Sequence, residues 1–218
     1  LLSIFLTILV IGLGAYTRLT DAGLGCPDWP GCYGQFDVPQ TAEQIRKAEG
    51  AFPDSPVNID KAWNEMIHRY AAASLGFLVL IIFLMCFVKR HQGVPLKLPL
   101  LILCVVIFQG ALGMWTVTLK LMPAVVMGHL LGGFTTLALL FLLYLRLLNF
   151  RVPSGDALLK KYQGFASIGI VILVLQIMLG GWTSSNYAAL ICTELPICQS
   201  GWFEQLSFQP ELLTQTLP

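Results

Sequence analysis

Charge is what this sequence has least of. Of its 218 residues only 11% are Asp, Glu, Lys or Arg, and the formal net charge is +1. Soluble domains carry roughly 25% charged residues. A chain this poor in charge, 56% hydrophobic and with a mean hydropathy of +0.74, reads as a polytopic membrane protein. It has no basic run, so its charge pattern makes no case for nucleic acid. An initiator methionine is missing, and no basic segment or small-residue cleavage site flanks the first apolar run, which excludes a signal peptide. That run, Leu1 to Tyr16, is shorter than the roughly 20 residues of a full span, so the sequence is expected to be part of a longer protein. The ten-residue alternation of a β-barrel is absent. So are the HExxH and CxxC spacings common in zinc sites.

What is present is apolar and helical in length. Five segments, roughly 1–16, 66–88, 98–118, 124–146 and 163–182, predict transmembrane helices. The short connections 89–97 (KRHQGVPLK) and 146–161 (RLLNFRVPSGDALLKK) carry the clustered Lys and Arg, so the positive-inside rule makes them cytoplasmic. The segments 17–65, 119–123 and 183 onward then lie outside, and all five tryptophans (Trp29, Trp63, Trp115, Trp182, Trp202) fall at that outer side. The first outer loop is too long for a simple connection and reads either as a folded lid or as a tolerated insertion. Within it, TAEQIRKAEG predicts a short surface helix, with Thr41 and Gln44 at capping-box spacing and Gly50 at the stop.

A repeat organises the chain. Shifted by 166 residues, GAYTRLTDAGLGCPDWPGC (14–32) falls on GGWTSSNYAALICTELPIC (180–198), with seven of nineteen positions identical, Cys26/Cys192, Pro30/Pro196 and Cys32/Cys198 among them. The fifth span is therefore the first span again. Four spans separate the copies, an even number, so the halves are parallel repeats. The fold expected is all-α, a four-helix transmembrane bundle duplicated in parallel, eight helices when complete. It divides into an N-terminal half at 1–147, a cytoplasmic linker at 148–162, and the start of the second half at 163–218. On an oxidising outer face Cys26–Cys32 and Cys192–Cys198 are expected to pair, either as staples of short loops or as redox-active dithiols. Cys86 and Cys104, inside spans, read as small hydrophobes.

Ionisable residues within spans are functional candidates. His68 stands near the outer start of the second span and His129 six residues past Pro123, about 9 Å down the fourth. Two imidazoles at matched depth on alternate helices, with Ala71–Ala73, Gly128, Gly132 and Gly133 clearing space, suit a planar ligand or metal held inside a bundle. Heme iron fits this pair better than zinc. Glu65, three residues before His68, shares its helix face and reads as a proton acceptor, a partner for His68, or an interfacial charge. Arg18 and Arg69, at the same level, are candidates for a ligand's carboxylates or for boundary anchors. His91, beside Lys89 and Arg90, reads as solvated surface.

Taken together, GAYTRLTDAGLGCPDWPGC, NEMIHRYAAASLG, QGALGMWTVTLKLMPAVVMGHLLGG and LGGWTSSNYAALICTELPIC make the chain resemble the heme A synthase family over nearly its whole length. The resemblance implies an eight-helix bacterial inner-membrane enzyme with its cysteine loops on the periplasmic side. Such an enzyme oxidises the C8 methyl group of heme O to a formyl group, giving heme A for cytochrome oxidase. It implies a substrate heme at the first histidine pair, His68 and His129, with Glu65 as the acidic residue, and a heme b cofactor at a second pair. Adding 166 to 68 and 129 puts that second pair near 234 and 295, past residue 218. Heme O synthase and cytochrome oxidase assembly factors are the partners it implies. Two rival functions fit some of the same residues: a thiol-disulfide oxidoreductase passing electrons to a quinone, and a heme-binding electron carrier without chemistry of its own.

Overall fold

The computed structural model describes residues 1–92, 94–148 and 157–188. Among them are six α-helices: α1 (Leu2–Leu19), α2 (Ala42–Ala51), α3 (Ile59–Val88), α4 (Lys97–Thr118), α5 (Pro123–Leu147) and α6 (Ala157–Ser185). A 3-10 turn, Lys89–Gln92, extends α3. No strand occurs among the described residues, only an isolated bridge between Cys32 and Gln35. Five helices (all but α2) are long and apolar enough to cross a membrane, which makes the chain a multi-pass membrane protein.

Each helix starts and stops for a local reason. Both arms of the predicted capping box form at α2: the Thr41 hydroxyl accepts from the Gln44 N–H at 3.3 Å, and the Gln44 side chain accepts from the Thr41 N–H at 3.0 Å. Gly50 does not stop this helix, which runs one residue further and is capped at Phe52. Asn58 caps α3 by accepting from the Lys61 N–H at 3.0 Å, and Asp60 in the first turn suits the helix dipole. Pro123 opens α5, where its missing N–H costs nothing.

Helices α1, α3, α4 and α5 close into a four-membered ring in that order, each antiparallel to its neighbours, and α6 packs along α5. Two buried clusters sit at different heights. Leu75, Val79, Leu98, Ile102, Leu140 and Leu143 fill the ring near the end that carries the basic connection. Cys26, Cys32, Tyr33, Val38, Ala48, Ala62 and Met66 form a second core outside the ring, where the long loop and α2 pack on the start of α3. The long loop is thus a folded cap. At 1.5 Å per residue the 30 residues of α3 span about 45 Å, against about 30 Å of hydrocarbon. The excess lies at its N-terminal third, where Ala62, Glu65 and Met66 are buried under the cap.

The far end of α6 is tied back to α1. Arg18 donates to the Ser184 carbonyl at 2.5 Å and to the Tyr187 hydroxyl at 2.7 Å, with its guanidinium 4.1 Å from the Tyr187 ring centre. The Tyr187 hydroxyl donates to Asp21 at 2.8 Å, and Asp21 also pairs with Lys61 at 2.9 Å. Two of these contacts, Arg18–Ser184 and Asp21–Tyr187, join residues separated by 166 positions, the period of the sequence repeat. The Lys61 hydrogen bond, followed by that from Tyr187, holds the Asp21 carboxyl below its ordinary range.

Candidate functional site: a histidine pair beneath a disulfide loop

His68 on α3 and His129 on α5 meet between the two cores, their ring centres 6.4 Å apart and their planes at 86°. Glycines make this approach possible. A Cβ on Gly14 would lie 3.0 Å from Cε1 of His68, and one on Gly113 would lie 3.5 Å from Cε1 of His129. The ring of His68 faces the backbone carbonyl of Val10, and that of His129 faces the carbonyl of Gln109. Yet Nδ1 of both rings is buried without a hydrogen-bond partner. Two unsatisfied buried nitrogens at one place cost free energy that a ligand would recover.

The separation also fits one iron. Two imidazoles on opposite sides of one metal, at about 2.0 Å per bond and about 1.1 Å from nitrogen to ring centre, would have their centres roughly 6 Å apart, whereas neighbouring ligands of a tetrahedral metal would have theirs about 5 Å apart. No cluster of three or more His, Cys, Asp or Glu side chains that could hold a metal occurs among the described residues, so the donors on offer are two imidazoles. That donor set suits an iron already held equatorially by a porphyrin.

Above the histidines sits a clamp. Glu65 is buried, accepts from the Cys26 N–H at 2.9 Å and is ion-paired with Arg69 one turn along α3. The same guanidinium donates to the carbonyls of Asp28 at 2.9 Å, Pro30 at 3.3 Å and Gly31. Arginine suits this position because five fixed donors can serve a carboxylate and several carbonyls at once. The loop is held in that shape by the Cys26–Cys32 disulfide and by Asp28, whose carboxylate accepts from the Tyr33 and Gly34 N–H groups at 2.6 and 2.8 Å. Tyr33 in turn donates to the Pro56 carbonyl, and burial pushes its phenol above the ordinary value of 10.0. Gly25 has to be glycine here, since a Cβ would come within 2.6 Å of the Lys61 carbonyl oxygen.

The sequence candidates are therefore distributed unevenly. His68 and His129 come together. Glu65 and Arg69 face the disulfide loop and each other, with Arg69 fully engaged by protein groups. Arg18 lies at the α1–α6 tie and keeps a buried Nε without a partner. His91 is exposed. Cys86 and Cys104 are free, and Cys26 and Cys32 are completely buried, which denies an attacking thiolate the access that exchange requires. Cys192, Cys198 and Trp202 lie outside the described residues, as does part of the predicted 148–162 linker. Sequence reasoning overlooked Gly14, Gly25, Gly113 and Gln109. An LG pair followed by an aromatic residue and threonine, on both α1 and α4, was the available signal for two of the glycines.

Comparisons with known proteins place the chain in one family. The family described as cytochrome oxidase assembly protein (COX15-CtaA) matches residues 1–216. The chain is 54% identical over 206 residues to a heme A synthase of Shewanella oneidensis, covering 94% of this chain and 62% of that protein. It is 27% identical to a heme A synthase of Halalkalibacterium halodurans, covering 94% of this chain and 67% of the relative. A heme A synthase of Flavobacterium psychrophilum is 26% identical, with 91% and 64% covered. The chain thus spans about three fifths to two thirds of the length of these relatives. No solved structure matches it. With its five apolar helices and this match along nearly its full length, the chain belongs to the COX15-CtaA family of cytochrome oxidase assembly proteins, the heme A synthase family.

Proposed function

We propose that this chain is the substrate-binding portion of a heme A synthase, which oxidises the C8 methyl group of heme O to the formyl group of heme A. The observation that carries the reading is the spacing of the His68 and His129 rings, which matches one iron between two imidazoles. Heme O is amphiphilic. Its propionates belong near water and cations, and its farnesyl tail belongs in lipid. A site just under the cap satisfies both. His68 and His129 hold the substrate iron and so fix the porphyrin edge in place. Glu65, one turn above His68 and buried, accepts protons as the methyl carbon is oxidised. Of the two candidate arginines, Arg18 retains an unpaired donor and suits a propionate, whereas Arg69 is spent on Glu65 and the disulfide loop. A resident heme b, with ligands expected at the repeat counterparts of His68 and His129, supplies a one-electron acceptor when bound.

In this reading residues 1–147 form the substrate half, 148–162 the cytoplasmic link, and 163 onward the start of a parallel second half. The protein sits in a bacterial inner membrane with the cysteine loops on the periplasmic side. It takes its substrate from heme O synthase and passes its product to cytochrome oxidase assembly. The test is heme extraction and mass analysis from cells carrying the full-length protein with His68→Ala or Glu65→Gln. Loss of heme A with accumulation of heme O or its hydroxylated form is expected. Wild-type heme A yield from either variant removes that residue from the reaction.

A further inference from the structure

The four-helix ring is itself built from two copies of one hairpin. Val10-x-x-Leu13-Gly14-x-Tyr16-Thr17 on α1 corresponds to Gln109-x-x-Leu112-Gly113-x-Trp115-Thr116 on α4. Both stretches end their helices at the cap side, and each glycine lies against a histidine of the helix that follows, Gly14 on His68 and Gly113 on His129. The partner helices match as well. Met66 and Met127 precede their histidines by two residues, and the buried positions Leu75 and Val79 correspond, at the same distances past the histidine, to the buried Thr136 and Leu140. In this correspondence the two imidazoles take equivalent places, each against the glycine of its own hairpin.

A symmetric frame draws attention to the places where the copies differ. Around the histidines the first hairpin has Glu65 and Arg69 where the second has Val126 and Leu130, and both are committed to the disulfide loop. The second hairpin has polar substitutions of its own, Gln109 in place of Val10 and Thr136 in place of Leu75; the Thr136 hydroxyl is spent on the Gly132 carbonyl at 2.8 Å. The Gln109 amide seats on the backbone of α5 at Gly132, in the space a Cβ there would need. The first hairpin has the complementary sizes, Val10 with Ala71. Gln109 stands four residues before Gly113 and Gly132 three after His129, so the amide lies on the histidine-bearing face, one turn deeper in the membrane. A primary amide at that depth has no reason in packing alone, because Val with Ala fills the same space in the other copy.

We infer that Gln109 is a specificity-determining residue of this site, its amide hydrogen-bonding a hydroxyl carried beside the ring on the membrane-facing edge of the porphyrin. This rests on the proposed heme O reading. With the propionates at the cap side, near the spare donor of Arg18, the opposite edge of the ring points down toward Gln109. Heme O carries on that edge a hydroxyl next to its farnesyl chain, where protoheme has a plain vinyl group. A site built to pair with a hydroxyl discriminates against the analogue without one, because its own polar group is then left unpaired.

The test is equilibrium titration of the purified full chain with heme O and with protoheme, followed by the Soret band and counting only the binding that His68→Ala abolishes. The variants are Gln109→Met, which keeps the shape, and Gln109→Val/Gly132→Ala, which installs the first hairpin's packing. Affinity for heme O is expected to fall about tenfold in each, the worth of one hydrogen bond, with protoheme unchanged within about twofold. Equal losses for both hemes, or no loss for heme O, overturn the assignment to Gln109. Failure of the wild-type protein to bind either heme through His68 overturns the heme reading itself, a distinguishable result.

Discussion

Arg69→Met isolates the clamp between α3 and the disulfide loop. The substitution keeps the length and apolar body of the side chain but leaves the Glu65 carboxylate buried without its cation, in a pair whose side chains are only 11% and 6% exposed. Removing one member of a buried pair costs about 3–5 kcal/mol, chiefly through the charge left behind. The three loop carbonyls matter less, since they lie near the surface where water replaces the lost donor. Adding Glu65→Gln removes the stranded charge while its amide oxygen still accepts from the Cys26 N–H, so the double variant should cost only about 1–2 kcal/mol. The second change therefore rescues the first, a coupling expected of residues in direct contact.

The assay is the rate at which a phosphine reductant opens the Cys26–Cys32 disulfide in detergent-purified protein. Both sulfurs are fully buried, so reduction must await local opening of the loop. A loss of about 3 kcal/mol in docking raises the open fraction roughly a hundredfold, and the rate with it. The double variant should return most of the way to wild type. An unchanged reduction rate in Arg69→Met, or a double variant that opens faster than the single one, refutes the clamp.

Three further outcomes are expected. Gly25→Ala should loosen the cap by about 1–3 kcal/mol, because the new methyl group meets backbone atoms of Lys61 and Ala62 that cannot swing aside; denaturant titration of the cap's tyrosine and tryptophan fluorescence would read it. Gly14→Ala should alter the spectrum of His68-bound heme more than Gly113→Ala does, since the approach is 3.0 Å at the first position and 3.5 Å at the second. The Asp21 tie between α1, α3 and α6 should be insensitive to pH from 5 to 8. A carboxyl whose folded value is depressed gives stability that is present above its unfolded value, near 3.8, and is lost as pH falls through the still lower folded value. Hydrogen exchange around Tyr187 should accelerate only in that acid range, and Asp21→Asn should show the same acceleration at neutral pH.

How far the sequence could be read depended on whether a feature carried its own local signal. The capping box of α2 needed only Thr41 and Gln44, three residues apart, and it formed. The depth of the histidine pair could be counted from the span ends, because helical rise is constant. The start of α3 could not. Its apolar run begins at Met66, but the helix begins at Ile59, since its polar first turns are stabilised by Asn58 and by burial under a loop distant in sequence. The partners of Arg69 were equally hidden. They are carbonyls 38 to 41 residues away, and backbone oxygen has no letter in a sequence. The hairpin repeat was visible in principle, but small apolar residues recur so often in membrane spans that the glycine–histidine contacts were needed to give it meaning.

One contact carries a consequence for how changes combine in this protein. Arg18 grips the carbonyl of position 184 and Asp21 the hydroxyl of position 187, and each is touching its own counterpart one period later. Such a meeting is what an isologous interface between identical subunits produces at its centre. At this joint the two sides carry Arg against Ser, and Asp against Tyr. Position 184 contributes only its backbone carbonyl, but 21 and 187 meet through their side chains, so alterations at those two act on one contact and their effects should compound or cancel instead of summing.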